Sequence, residues 1–260
     1  MLRYLPIVLA ALVASPALAQ TRPLRTEEAT TAPAGRIALA VGAEYQSEQQ
    51  SFVTLRPRDV WQVPTLNLVY SPADNVEIDL AWTGRVIARN DSLFGNSADF
   101  GDVTLRSKLR FFDERGSRPA VGARFEVTLP ETKRIEGLGP NVLRMSAQAL
   151  LTKTLGPVKV HANAGLAIHD KSTGAAQNDL FAYGLALEIG TSPSVVAEVA
   201  GRGGRGEPVI DRTHVARLGA RLGSGRVRFD VAVQHGLTDA DGDWGATAGL
   251  TWIAKPGRTP

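Results

Sequence analysis

The sequence predicts an all-β fold, a single antiparallel transmembrane β-barrel of about twelve strands with short periplasmic turns and longer extracellular loops. Three observations predict it. Apolar and polar side chains alternate in run after run of about ten residues, the length that crosses a bilayer when tilted. Short turns and long polar loops take turns along the chain. Aromatic residues fall near the ends of the runs, where a membrane barrel carries its interfacial girdles.

Composition alone suggests an ordinary globular protein, with 43% hydrophobic and 21% charged residues among 260. The order of the residues changes that reading. A membrane barrel alternates lipid-facing and lumen-facing positions, so its average resembles that of a soluble protein. The absence of Cys excludes a disulfide scaffold, a zinc finger, an iron–sulfur site and thiol catalysis. A net charge of +3 is too balanced to imply a nucleic-acid partner.

The chain opens with a secretory signal at residues 1–19. Arg3 gives the positive start, Leu5–Val13 the apolar stretch, and Ala17-Leu18-Ala19 the cleavage signature before Gln20. Residues 20–35 are polar and without period, and predict a flexible N-terminal segment that can fold back as a small plug. The barrel is expected over 36–254, followed by a C-terminal tail, 255–260.

The expected strands are 36–46, 61–70, 75–86, 101–112, 119–130, 141–154, 157–168, 180–190, 194–203, 213–222, 226–235 and 244–254. The fourth shows the pattern most clearly. Val103, Leu105, Leu109 and Phe111 share one face, while Asp102, Thr104, Arg106, Lys108 and Arg110 share the other. Turn chemistry follows the even-numbered strands, as at Ser71-Pro72-Ala73-Asp74 and Gly223-Ser224-Gly225. Longer loops follow the odd-numbered ones: 47–60, 87–100, 131–140, 169–179, 204–212 and 236–243. Tyr45, Trp61, Trp82, Phe181 and Tyr183 lie near loop-side ends; Tyr70, Phe111, Phe229 and Trp252 lie near turn-side ends. A secreted sandwich would share the alternation, but not the strand length, the loop asymmetry or the aromatic placement.

Several motifs resemble a known family. Gly101-Asp102-Val103-Thr104-Leu105-Arg106-Ser107-Lys108-Leu109-Arg110-Phe111 is similar to a strand of outer-membrane transporters assigned to the meta-cleavage pathway of phenol degradation. Glu126-Val127-Thr128-Leu129-Pro130-Glu131-Thr132 resembles their strand end, although no Gly follows Thr132. Leu150–Gly156 with His161–Gly165 resembles their next hairpin. The resemblance spans about 61–254 and implies passage of small, often hydrophobic molecules.

The predicted inner face is charged. Its lumen-lining residues are Glu77, Asp79, Arg106, Lys108, Arg110, Arg124, Glu126, Arg144, Lys159, Arg217, Arg221 and Arg228, with Glu77 and Asp79 facing Arg106 and Lys108. Charges inside a barrel must pair or be hydrated. Two readings stay open: a narrow conduit guiding anionic or dipolar solutes, or a salt-bridge network that fills the lumen. Twelve strands lie between eight, which side chains fill, and sixteen, which leave a channel.

Other motifs are weaker. Gly201–Gly206 matches G-x-G-x-x-G, but a dinucleotide site needs a βαβ frame. Asp239–Asp243 is acidic, yet Leu250 stands where a calcium loop needs its Glu. His161, His169, His214 and His235 show no H-x-S pattern, so no catalytic constellation emerges. The sequence therefore predicts a non-enzymatic outer-membrane barrel for passive passage of small solutes. It predicts no cofactor or metal, and contact with outer-membrane lipid and lipopolysaccharide. A closed structural or adhesive barrel and an outer-membrane hydrolase are the alternatives.

Overall fold

The computed structural model describes residues 22–171, 176–223 and 225–254. The expected signal at 1–19 and the tail at 255–260 lie outside them.

Period-two alternation becomes a closed wall. The first strands are β1 (Ile37–Gln50), β2 (Pro57–Ala73) and β3 (Val76–Thr83), followed by a short hairpin, β4 (Val86–Asp91) and β5 (Gly95–Asp99). Next come β6 (Val103–Phe112), β7 (Ala120–Leu129), β8 (Arg144–Leu155) and β9 (Val158–Asp170). The chain finishes with β10 (Gln177–Gly190), β11 (Ser194–Gly204), β12 (Thr213–Leu222), β13 (Val227–Gly236) and β14 (Trp244–Ala254). Every pairing is antiparallel, and β1 meets β14 from Ile37↔Ala254 to Ser47↔Trp244, which closes the ring. Without β4 and β5, the wall is the twelve-stranded barrel that the sequence predicts.

Closure removes the open edges that a membrane cannot tolerate. The faces then sort as strand geometry requires. Leu105, Phe125, Leu166, Leu185, Val231 and Val233 are exposed on the outer face. Their strand neighbours Lys108, Arg124, Asn163, Gln234 and Asp230 are buried on the inner one. Exposed Trp61, Trp82 and Phe181 mark the loop-side rim, and Tyr70, Phe111, Phe229 and Trp252 the turn-side rim. This outer belt is the surface that hydrocarbon covers.

Three elements lie within stretches expected as loops. The β4–β5 hairpin occupies most of 87–100: β2 forks, pairing β3 from Thr65 onward and β4 at Asp59–Gln62. Its short polar strands lack the alternation that marks the others. A single-turn helix, α1 (Pro208–Asp211), and a 3-10 turn at Asp239–Asp241 sit in two loops between later strands.

Residues 22–35 form no strand or helix and lie against the inner face. Their backbone N–H groups donate to wall side chains: Arg25 and Thr26 to Glu198, Glu27 to Asn163, Ala29 to Thr152 and Ala32 to Glu77, at 2.6–3.0 Å. An irregular buried segment must satisfy its backbone this way.

Candidate lumen site

The wall charges group by strand register. Glu77 pairs with Lys108 and Asp79 with Arg106 across β3 and β6. Arg106 pairs with Glu126 across β6 and β7. The side chains follow: Lys108 Nζ lies 2.6 Å from Glu77, and Arg106 lies 3.2 Å from Asp79 and 2.7 Å from Glu126. Glu27 of the N-terminal segment enters this cluster. Its carboxylate accepts from Lys108 at 3.0 Å and from Arg124 at 3.3 Å. Lys108, Glu27 and Glu77 are all buried. Removing one member would leave an uncompensated buried charge, so the cluster fixes the segment as well as the wall.

A second group surrounds Arg22. Its guanidinium donates to Asp230 at 3.2 Å, Thr65 at 3.0 Å, Thr247 at 3.0 Å and the Ala248 carbonyl at 2.9 Å. Gly42 and Gly249 face each other across β1 and β14. A Cβ on Gly249 would stand 2.6 Å from the Arg22 guanidinium, and one on Gly42 would collide with it too. The glycine pair is therefore a seat for Arg22. Nearby, Arg217 pairs with Glu44 and Glu198 and donates to the Pro23 carbonyl.

The remaining sequence-predicted residues divide between the two ends. Arg144 pairs with Asp102 near the loops. Arg221 pairs with Glu188 near the turns at 2.8 Å. Arg110 bonds Asp113 and the Asp74 carbonyl at the turn-side rim. Lys159 and Arg228 lie toward the same end, on β9 and β13.

Sequence reasoning missed three contributors. Arg22 and Glu27 precede any periodic pattern, so nothing local marks them as lumen residues. Asp211 sits in α1, where it accepts from His169 at 2.6 Å, Asn178 at 2.8 Å and the Glu207 N–H at 2.8 Å. Burial pushes its carboxyl up, but these bonds outweigh burial and hold it below the ordinary range.

One constellation invites a catalytic reading. Thr152 Oγ1 lies 3.0 Å from His161 Nδ1, and His161 Nε2 lies 3.8 Å from Glu188. The Thr152 oxygen also accepts the Ala29 N–H at 2.8 Å. The hydroxyl is thus committed to the segment, and His161 holds it in place.

On the loop side of the segment a cavity of about 570 Å³ stays open. Seven arginines and three carboxylates line it. Arg22, Pro23, Leu24, Arg25 and Thr26 form part of its lining.

Barrel, inner charge and occupied lumen together define the class. The chain is similar to the COG4313 outer membrane channel from Pseudomonas putida F1, with a TM-score of 0.67 and 17% identity. That match covers 87% of this chain and 98% of the other. It is also similar to the translocator domain of autotransporter NalP from Neisseria meningitidis, with a TM-score of 0.47, 12% identity, and coverages of 85% and 89%. LpxR from Salmonella typhimurium gives 0.47, 9%, 83% and 99%. The fold is that of bacterial outer-membrane β-barrels, and the exposed apolar belt suits that membrane. Within that class, the chain belongs to the family described as "Putative MetA-pathway of phenol degradation", whose model matches residues 22–254. The resemblance carried by the Gly101–Lys108 strand holds. No curated protein matches the sequence.

Proposed function

We propose that this chain is a passive, energy-independent conduit for small solutes across the outer membrane, with residues 22–35 narrowing its lumen as a plug. The observation that carries the reading is the lumen itself. Its turn-side half holds the segment, and its loop-side half keeps a polar cavity of about 570 Å³. A barrel evolved only as a wall has no need of such a space. The family's description, a pathway of phenol degradation, supports a small aromatic or hydrophobic solute. The charged lining supports a solute that also carries a polar or anionic group.

The density of ion pairs favours a second reading, a closed structural barrel. Lys108, Arg124, Glu27 and Glu77 form one connected cluster across the lumen. A hydrolase has less support. The imidazole of His169 bonds Asp211 and that of His214 bonds Tyr183, with no serine hydroxyl at either among the described residues.

Single-channel recording in planar bilayers tests the conduit. The full chain is expected to give a small conductance, and deletion of 22–35 to raise it about ten-fold or more, toward that of an open barrel of this strand number. No current from either form would overturn the conduit and leave the closed barrel. Release of fatty acid from lipid would instead support the hydrolase.

A further inference from the structure

The cavity holds one cation, Arg202, that meets no carboxylate partner among the described residues. Of the seven arginines that line it, Arg202 alone makes no ion pair among the described residues. Its guanidinium donates to the Ile210 carbonyl at 3.1 Å, and its Nε is buried without an acceptor among the described residues. The Nε of Arg144 is in the same state.

Nearby carboxylates do not answer this need. Asp211 and Asp241 attract Arg202, whereas Arg144 and Arg25 repel it. Yet Asp211 spends both oxygens on His169, Asn178 and the Glu207 N–H. Asp241 accepts from the His214 N–H at 2.7 Å and the Thr238 hydroxyl at 2.5 Å, and faces Arg25 at 3.9 Å. Asp102, which pairs with Arg144, gives its other oxygen to the N–H groups of Glu131 and Thr132. The acids near Arg202 are committed elsewhere, and the positive charge is left facing the cavity.

Part of the wall beside it is small and apolar. Arg202 has Ala182 and Thr213 as its cross-strand partners, and Ala167 and Ala200 line the same cavity with Leu138. These side chains leave room rather than fill it. The volume falls in the range of small-molecule pockets, about 300–1,000 Å³. A guanidinium matches the two oxygens of a carboxylate, and an apolar wall suits a carbon body rather than a hydrated inorganic anion.

We propose that this cavity is a binding site for a small organic monocarboxylate with an apolar body, held by Arg202 with Arg144 beside it. The site deepens the conduit reading on which it rests, since it lies in the lumen on the loop side of the plug. It gives that conduit a substrate class.

Calorimetric titration of the detergent-solubilised full chain with benzoate tests the site, with benzyl alcohol and inorganic phosphate as comparisons. Benzoate is expected to bind at least about ten-fold more tightly than either. Arg202→Ala should weaken benzoate about ten-fold or more, and Arg202→Lys, which keeps the charge but loses the planar fork, by less. Heat-modifiable migration confirms that each variant folds. Unchanged benzoate binding in a folded Arg202→Ala variant would overturn the site, as would phosphate binding as tightly as benzoate. The two readings also fail separately. Conductance without benzoate binding overturns the site and spares the conduit; binding without conductance overturns the conduit and spares the site.

Discussion

Toward the turns the lumen is filled. Glu27 lies between Lys108 and Arg124, Glu77 completes the group, and segment N–H groups reach Thr152 and Asn163. Toward the loops the same alternating wall encloses a cavity, and Arg202 stands there without a carboxylate partner. Both halves carry arginines on the inner face of comparable strands. What differs is the partner. The turn-side cations Lys108 and Arg124 meet an acid delivered by the segment, Glu27, whereas on the loop side Arg144 meets only the wall's Asp102 and Arg202 meets no carboxylate among the described residues. A charged inner face is therefore a structural latch or a binding surface according to whether the chain itself supplies the counter-charge.

The strongest way to break this contrast is at Lys108. Lys108→Met leaves Glu77 buried without its cation and Glu27 with Arg124 alone, at an expected cost of about 3–5 kcal/mol. The readout is a lower midpoint for the heat-modifiable band shift and a larger conductance. Adding Glu27→Gln and Glu77→Gln should recover part of the loss. If Lys108→Met leaves both readouts unchanged, the turn-side cluster is not a latch.

Gly249→Ala comes next. Its methyl intrudes on the Arg22 guanidinium, and overpacking of this kind costs about 1–3 kcal/mol. Trypsin should then cut after Arg25, whose neighbourhood is protected when the segment is seated. Resistance equal to that of the parent chain would show that the glycine pair is no seat.

Asp211 sharpens the loop side. Its carboxyl is held below the ordinary value of 3.8 by His169 and by the Glu207 N–H, against the upward push of burial. A depressed carboxyl contributes stability that is complete above the unfolded value and is lost as pH falls through the folded one. Amide exchange in 205–212 should therefore rise below about pH 4. In Asp211→Asn it should be raised already at neutral pH, by an amount worth about 1–3 kcal/mol. Exchange that ignores both pH and substitution would remove Asp211 from the clamp.

The smallest effect belongs to Arg202. It has no ion pair to lose and two arginines that repel it, so Arg202→Ala should change stability by less than about 1 kcal/mol. A loss as large as that of Lys108→Met would mean that the two halves are alike.

The wall was legible because strand geometry writes itself into period two. Val103–Phe111 and Val121–Leu129 declare their faces without reference to anything distant. The opposition of Glu77 and Asp79 to Lys108 and Arg106 follows from adjacent strands in register, which is still local information. The β4–β5 hairpin was not legible, since Ala88-Arg89-Asn90-Asp91 and Gly95-Asn96-Ser97 have no apolar face to alternate. The placement of residues 22–35 was illegible in its detail. It rests on backbone N–H groups meeting side chains that are 40–173 residues away, as from Ala34 to Asp74 and from Arg25 to Glu198. No short-range pattern encodes such contacts. Arg202 reads as one more inner base, and only the placement of Asp211 and Asp241, both bonded elsewhere, leaves it without an ion pair among the described residues.

The facing glycines join the first strand to the last. Gly42 belongs to β1 and Gly249 to β14, so the hollow for Arg22 exists only after those two strands have met. The bonds of Arg22 reach β2, β13 and β14, on both sides of that seam. One arginine thereby ties strands from both ends of the chain across the joint that closes the ring.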